Sequence, residues 1–237
     1  MRAPCHIVRD LLESLHGKIQ PGMTTAEIDR YVYDFIVQSG AKPSFLGLYG
    51  YPASACVSIN EEVVHGIPSE TRFIKDGDIV SVDVGAFLNG FHSDAARTYC
   101  IGNVSEQKKK LVQVTEECFF RAIDGLMPGS ALYDIGAAAQ QHAESHGYGV
   151  VRALCGHGVG REMHEDPQVP NYGRRGTGMR LKAGMTLAIE PMINMGTHEV
   201  FVDEEDDWTV VTEDELPSAQ WEHTFVMTEN GLEILTY

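Results

Sequence analysis

Residues 78–98 read Asp78-Ile-Val-Ser-Val-Asp83-Val-Gly-Ala-Phe-Leu-Asn89-Gly90-Phe-His-Ser-Asp94-Ala-Ala-Arg-Thr98. Asn89-Gly90 is a strong hairpin signal, because both residues tolerate the positive φ of a two-residue turn. That turn pairs Leu88 with Phe91, Asp83 with Ala96 and Asp94 with Gly85. Paired residues share a face, as do residues two apart on one strand. The two aspartates are therefore diagonal neighbours on one face, at about 7–8 Å. Ile79, Val80, Val82 and Val84 mark the strand as buried. A bare buried carboxylate is costly, and two side by side are costlier. One aspartate at a strand end and one in a surface turn is the bland alternative. Metal chelation explains the pair better.

The 237 residues, 43% of them hydrophobic, suit one large domain or two small ones with ample core. No apolar run reaches the ~18 residues that a membrane helix needs. Arg9, Asp10 and Glu13 interrupt the N-terminal segment, so it lacks a signal-peptide core. Five scattered cysteines (5, 56, 100, 118 and 155) without a CxxC read as reduced cytosolic thiols. A net charge of −16 argues against a general nucleic-acid surface. The short basic run Lys108-Lys109-Lys110 is expected to decorate a solvated helix start.

The sequence repeats at an offset of 107 positions. Pro21-Gly22 falls on Pro128-Gly129, Ile28 on Ile135, Gly40 on Gly147, Lys75 and Gly77 on Lys182 and Gly184, and Val82-Asp83 on Ile189-Glu190. Thr24-Thr25-Ala26-Glu27 is a capping box opening a helix through Ile28, Tyr31, Val32, Phe35 and Ile36, with Gly40 past its end. A second copy is expected from Ser130 to Gly147. A helix from Ser105 to Leu126 joins the halves, and another carries Ile7, Val8, Leu11, Leu12 and Leu15. Two halves, about 1–107 and 108–237, each placing a carboxylate on a central strand, predict one pseudo-twofold α+β domain. Its site would lie where the halves meet.

The second half supplies further ligand types. His157 sits in Gly156-His157-Gly158-Val159-Gly160, Glu190 follows the apolar run Met185–Ile189, and Glu222 lies in Trp221-Glu222-His223-Thr224-Phe225-Val226, before a second Asn-Gly turn at 230–231. Asp83, Asp94, His157, Glu190 and Glu222 make one imidazole and four carboxylates. That is too many anions for one small ion and too oxygen-rich for a structural zinc. It suits two divalent ions bridged by carboxylates. Manganese, iron or cobalt fit this hard donor set, with zinc admissible.

These residues carry a resemblance. Pro43-Ser44-Phe45-Leu46-Gly47, Tyr51-Pro52-Ala53-Ser54, residues 58–68 (SINEEVVHGIP), Asp83-Val84-Gly85, Gly90-Phe91-His92-Ser93-Asp94, the glycine-rich run around His157, His164-Glu165-Asp166-Pro167, Ile189-Glu190-Pro191 and Glu222-His223-Thr224 resemble the type I methionine aminopeptidases. The resemblance spans nearly the whole chain. It implies the pita-bread fold, a curved antiparallel sheet covered by helices. It also implies a cytoplasmic hydrolase, expected as a monomer, that removes the initiator methionine from nascent polypeptides with a small second residue. The five residues above are then its metal ligands.

By the same resemblance His65 bonds the substrate backbone, His164 donates to the scissile carbonyl or its oxyanion, and Glu190 shuttles a proton. Tyr51, Cys56, His65 and Trp208 are expected to line the methionine slot, with Phe45 close by. Met163 and Leu48 are expected at the pocket as well, Leu48 where relatives commonly have tyrosine and Met163 where phenylalanine is common. Asn60 and Ser218 match positions that help hold a monovalent cation. His92, His142 and His223 read as structural. The acidic loop Asp203-Glu204-Glu205-Asp206-Asp207 would repel RNA, so any ribosome contact is expected elsewhere. Relatives usually start further upstream, and an insertion of type II size does not fit. A proline-specific peptidase of this fold, a non-catalytic binding protein and a metal-stabilised scaffold are the competing readings.

Overall fold

The computed structural model describes residues 1–237. Four helices, α1 (Arg2–Leu15), α2 (Thr25–Gln38), α3 (Glu106–Ile123) and α4 (Tyr133–Ser145), accompany strands whose pairings are all antiparallel. The strands Ile79–Leu88 and Phe91–Cys100 form a hairpin in the expected register, with Leu88 opposite Phe91, Asp83 opposite Ala96 and Asp94 opposite Gly85. Alternation then sorts the residues. Val80, Val82, Val84, Ala95 and Tyr99 pack with Val8, Leu11 and Leu12 of α1 and Ile28, Val32 and Ile36 of α2. Ser81, Asp83, Asp94 and Thr98 take the other face, where the Ser81 and Thr98 hydroxyls lie 2.8 Å apart.

The second half repeats the plan. Leu187, Ile189, Phe225 and Met227, on the strands Thr186–Ile189 and His223–Thr228, join Leu111, Val114 and Phe119 of α3 and Ile135 and Ala139 of α4 in a second core. Glu190 and Glu222 have the opposite parity and face away from it. Hydrogen bonds repeat as well. The Gly22 amide donates to the Ile74 carbonyl and the Gly129 amide to that of Leu181, both at 2.8 Å. The isolated bridges Thr24–Phe73 and Ala131–Arg180 are likewise 107 positions apart.

Past the carboxylate-bearing strands the offset grows to 126. Thr98 Oγ1 donates to the Gln220 carbonyl, and Thr224 Oγ1 to the Asp94 carbonyl, each at 2.8 Å. Each of these contacts is the other's symmetry mate. Ala96 and Glu222, related by the same offset, exchange backbone hydrogen bonds of 2.9 and 3.3 Å. The pseudo-twofold therefore passes between Ala96 and Glu222, and the seam between the halves runs beside the acidic residues. A tight turn joins the two strands in the first half. In the second half a long excursion containing Val200–Val202 and Val210–Thr212 intervenes, which breaks the simple offset.

Local expectations fare unevenly. The capping box of α2 is present, and Gly40 takes φ +79°. Helix α4 starts at Tyr133 with no side-chain cap, because the Ser130 hydroxyl accepts the Met127 amide instead. Helix α3 stops at Ile123, where Asp124 turns extended. Lys108 does not simply face solvent: its ammonium donates to Asn60 Oδ1 (2.8 Å) and the Gly77 carbonyl (3.0 Å), pinning α3 to the first half. The late hairpin pairs Thr228 with Gly231, so Glu229-Asn230 rather than Asn230-Gly231 forms its loop.

Candidate metal centre and peptide-binding cleft

Asp83, Asp94, His157, Glu190 and Glu222 converge on one cavity of about 290 Å³. The hairpin delivers both aspartates, and the Ala96–Glu222 seam sets Glu222 beside them. The Asp94 amide is held by Thr224 Oγ1 at 3.1 Å. His157 comes in on a short strand threaded between two others. A Cβ on Gly156 would lie 2.3 Å from the Ala188 carbonyl, and one on Gly158 2.4 Å from that of Asp166, so only glycine admits this approach. Its Nε2 stands 3.4 Å from Asp94 Oδ2 and 3.8 Å from Glu190 Oε1. Asn171, fully buried, donates from Nδ2 to the Glu190 carbonyl at 3.0 Å and fixes that residue's backbone.

The cluster is electrostatically strained. Burial, then the charges of Asp94 and Glu190, hold Asp83 well above the ordinary carboxylate range. Burial, then Asp94, Asp83 and Glu190, do the same to Glu222. Burial pushes Glu190 up to about 8, against the opposing pull of His157. Burial lowers His157, but the hydrogen bond and charge of Asp94 outweigh it and raise the imidazole to about 9. Asp83 Oδ1, Asp94 Oδ1 and Glu222 Oε1 are buried with no hydrogen-bond partner. Asp94, His157 and Glu222 also present ligand atoms within 4.8 Å of one another. Orphaned acceptors around an imidazole fit divalent cations, which would relieve both repulsion and desolvation.

The other end of the cavity is apolar, with Phe45, Leu48, Tyr51, Cys56 and Trp208 among its walls. Cys56 pairs with Asp83 across the sheet and so shares its face. The Tyr51 hydroxyl lies 3.1 and 3.0 Å from the Ala55 and Gly66 carbonyls, and its ring meets Trp208 edge-on at 5.1 Å. Asp206 accepts the Trp208 and Thr209 amides at 2.8 Å, so one member of the acidic loop aims the indole into the cavity. Met163 joins the apolar cluster of Phe45, Tyr51 and Cys56 but is absent from the cavity wall. The Ser218 amide donates to the Asn60 carbonyl at 2.8 Å, which brings these two residues together.

His65 and His164 both line the cavity, and burial lowers both, with the charge on His157 adding to the effect on His164. His65 has φ +61°, and Gly66 beside it donates its amide to Ser58 Oγ and accepts from Val57. His164 meets the His157 ring at 4.4 Å. Tyr49, which the sequence reading passed over, stacks on the outer face of His164 with ring centres 5.8 Å apart and planes 16° apart. Tyr49 is 75% exposed at φ +52°, with no periodicity to betray it. A second, open hollow of about 480 Å³ shares His65, His157, His164 and Glu190 with the cavity and adds Cys155 and Gln168. His92 bonds Ser44, His142 bonds Glu117, and buried His223 bonds Thr236, all apart from the five candidate ligands.

The sequence profile of metallopeptidase family M24 matches residues 1–229. A methionine aminopeptidase of Clostridium perfringens is 52% identical over 236 residues, covering 100% of this chain and 94% of the relative. One from Escherichia coli K12 is 45% identical, covering 100% and 89%. The crystal structure of methionine aminopeptidase from Rickettsia prowazekii superposes with a TM-score of 0.98 at 42% identity, covering 100% and 95%. That likeness gives the pita-bread fold expected from the sequence. The chain belongs to metallopeptidase family M24 and, within it, to the type I methionine aminopeptidases.

Proposed function

We propose that the chain removes the initiator methionine from new polypeptides whose second residue is small, and that Asp83, Asp94, His157, Glu190 and Glu222 hold two divalent ions for this reaction. One observation carries the reading: a single cavity has an apolar slot at one end and five metal-type donors at the other. Divalent ions held there supply the Lewis acidity, lowering the pKa of water and polarising a carbonyl.

The chain's own residues do the rest. The slot between Tyr51, Cys56 and Trp208 takes the methionine side chain and excludes water from it. His65, His157, His164 and Glu190 belong to both hollows, so the scissile bond lies at that shared wall with the remaining peptide in the open groove. His164, held neutral, donates to the carbonyl oxygen as negative charge develops on it. His65 bonds the substrate backbone. Glu190 accepts the proton of the attacking water and passes it to the leaving amine. Manganese, iron and cobalt suit the donor set. No helix is long and apolar enough to cross a membrane; a cytoplasmic location follows from the proposed action on nascent chains. The 203–207 loop would repel RNA, which leaves any ribosome contact to other surfaces.

Hydrolysis of Met-Ala-Ser, Met-Leu-Ser, Leu-Ala-Ser and Ala-Pro peptides, by stripped and Mn²⁺- or Co²⁺-loaded protein, tests the proposal. Metal-dependent cleavage of Met-Ala-Ser above all others is expected. Preference for Leu-Ala-Ser or Ala-Pro would overturn the pocket assignment, and undiminished cleavage by stripped protein would overturn the metal reading.

A further inference from the structure

Outside the cleft, one other place brings three metal-ligating side chains together: Glu117 of α3 with His142 and His146 at the end of α4. We propose that these three residues form a separate binding site for a borderline divalent ion, zinc above all, that ties α3 to α4. None of them lines either hollow of the cleft.

The geometry is that of a helical metal clip. His142 and His146 are four residues apart, which places both on one helix face. Their ring centres are 4.7 Å apart. Glu117 reaches across from the facing helix, and its Oε2 lies 2.8 Å from His142 Nε2. One ligand atom from each of the three residues falls within 4.8 Å of the others.

Outer partners orient the donors. Gln113 Nε2 donates to Glu117 Oε1 at 2.7 Å, which leaves Oε2 facing the histidines. His146 Nδ1 lies 2.9 Å from the His142 carbonyl and must donate to it, because a carbonyl oxygen can only accept. That bond fixes the neutral tautomer with a lone pair on Nε2, the arrangement by which ligating histidines are usually held. Two imidazoles and one carboxylate match zinc with an open position for water, and suit Mg²⁺ or Mn²⁺ poorly. A cation is also favoured here by the dipole at the α4 C-terminus. Side-chain exposures of 17% for His142 and 36% for Glu117 leave an entry path.

The test is zinc alone on the full chain. EDTA-stripped wild type, the His142→Ala/His146→Ala double variant and Glu117→Gln are dialysed against low-micromolar free Zn²⁺ and their zinc content measured. Wild type should hold one more zinc per chain than the double variant, and Glu117→Gln should need higher free zinc for the same occupancy. Histidine-ring ¹H–¹⁵N spectra should show the His142 and His146 resonances shift on zinc addition. Mn²⁺-supported peptidase activity of the double variant should match wild type. Any failure of the cleft to bind metal would lower all three proteins equally, so it would not mimic this result. Equal zinc content in wild type and a folded double variant, or ring resonances of His142 and His146 unmoved by zinc, would overturn the proposal.

Discussion

Stripped of metal, this chain should lose stability as pH rises from about 5 to 8, the reverse of ordinary acid denaturation. Glu190 sets the scale. Burial raises it from 4.5 to about 8, so the native state keeps a proton that the unfolded chain releases near 4.5. Wherever the native state binds more protons, stability falls with pH. At 1.36 kcal/mol per unit, that window corresponds to about 5 kcal/mol. His157, raised from 6.5 to about 9, acts with the same sign: its stabilisation is complete below 6.5 and is lost as pH passes 9. Asp83 and Glu222, raised by burial and by neighbouring carboxylates, add in the same direction. These groups share protons, so their contributions do not simply add, and the Glu190 figure sets only the scale. With an m-value of about 2–3 kcal/mol/M, the urea midpoint should drop by about 2 M. Fluorescence of Trp208 and Trp221 during urea unfolding in EDTA reads this directly. Saturating Mn²⁺ should flatten or invert the trend, because ligands bind only when deprotonated. Glu190→Gln in EDTA should flatten it too. A metal-free midpoint that is constant or rises with pH, or a Glu190→Gln slope equal to wild type, would mean that the buried carboxylates do not retain their protons on folding.

Two further outcomes concern the histidines. His164→Ala should lower kcat by about 10²–10³ with metal content unchanged, the scale of losing one oxyanion donor. His157→Ala should instead lose metal, and elemental analysis beside steady-state kinetics would expose any exchange of their roles. Tyr49→Ala removes an aromatic stack of about 0.5–1.5 kcal/mol, so kcat/KM should fall by about 2–10-fold. Tyr49→Phe should restore it, and an unchanged Tyr49→Ala enzyme would deny the ring any part in holding His164.

The sequence is most readable where one local rule fixes geometry. Asn89-Gly90 sets the hairpin register, and the register alone puts Asp83 and Asp94 on one face. The repeat is legible through Gly22 and Gly77, because those positions and their mates Gly129 and Gly184 take left-handed backbone. It fades where the excursion before Glu222 shifts the offset, so the Thr98–Gln220 and Thr224–Asp94 contacts could not be read. Tyr49 and Met163 show a second limit. Which residues of an apolar stretch meet a cavity depends on tertiary packing: Tyr49 lines the wall and stacks on His164, while Met163 lies behind it. Lys108 looks like one charge of a solvated run, yet two neighbouring turns each supply an acceptor for it.

Whether the five residues hold two ions is decided by a crystal structure of the Mn²⁺-loaded protein with anomalous scattering. Two anomalous peaks within about 4 Å of each other are expected, with Asp83, Asp94, His157, Glu190 and Glu222 all in their coordination shells. A single peak, or any of the five side chains turned away from the ions, would contradict this assignment.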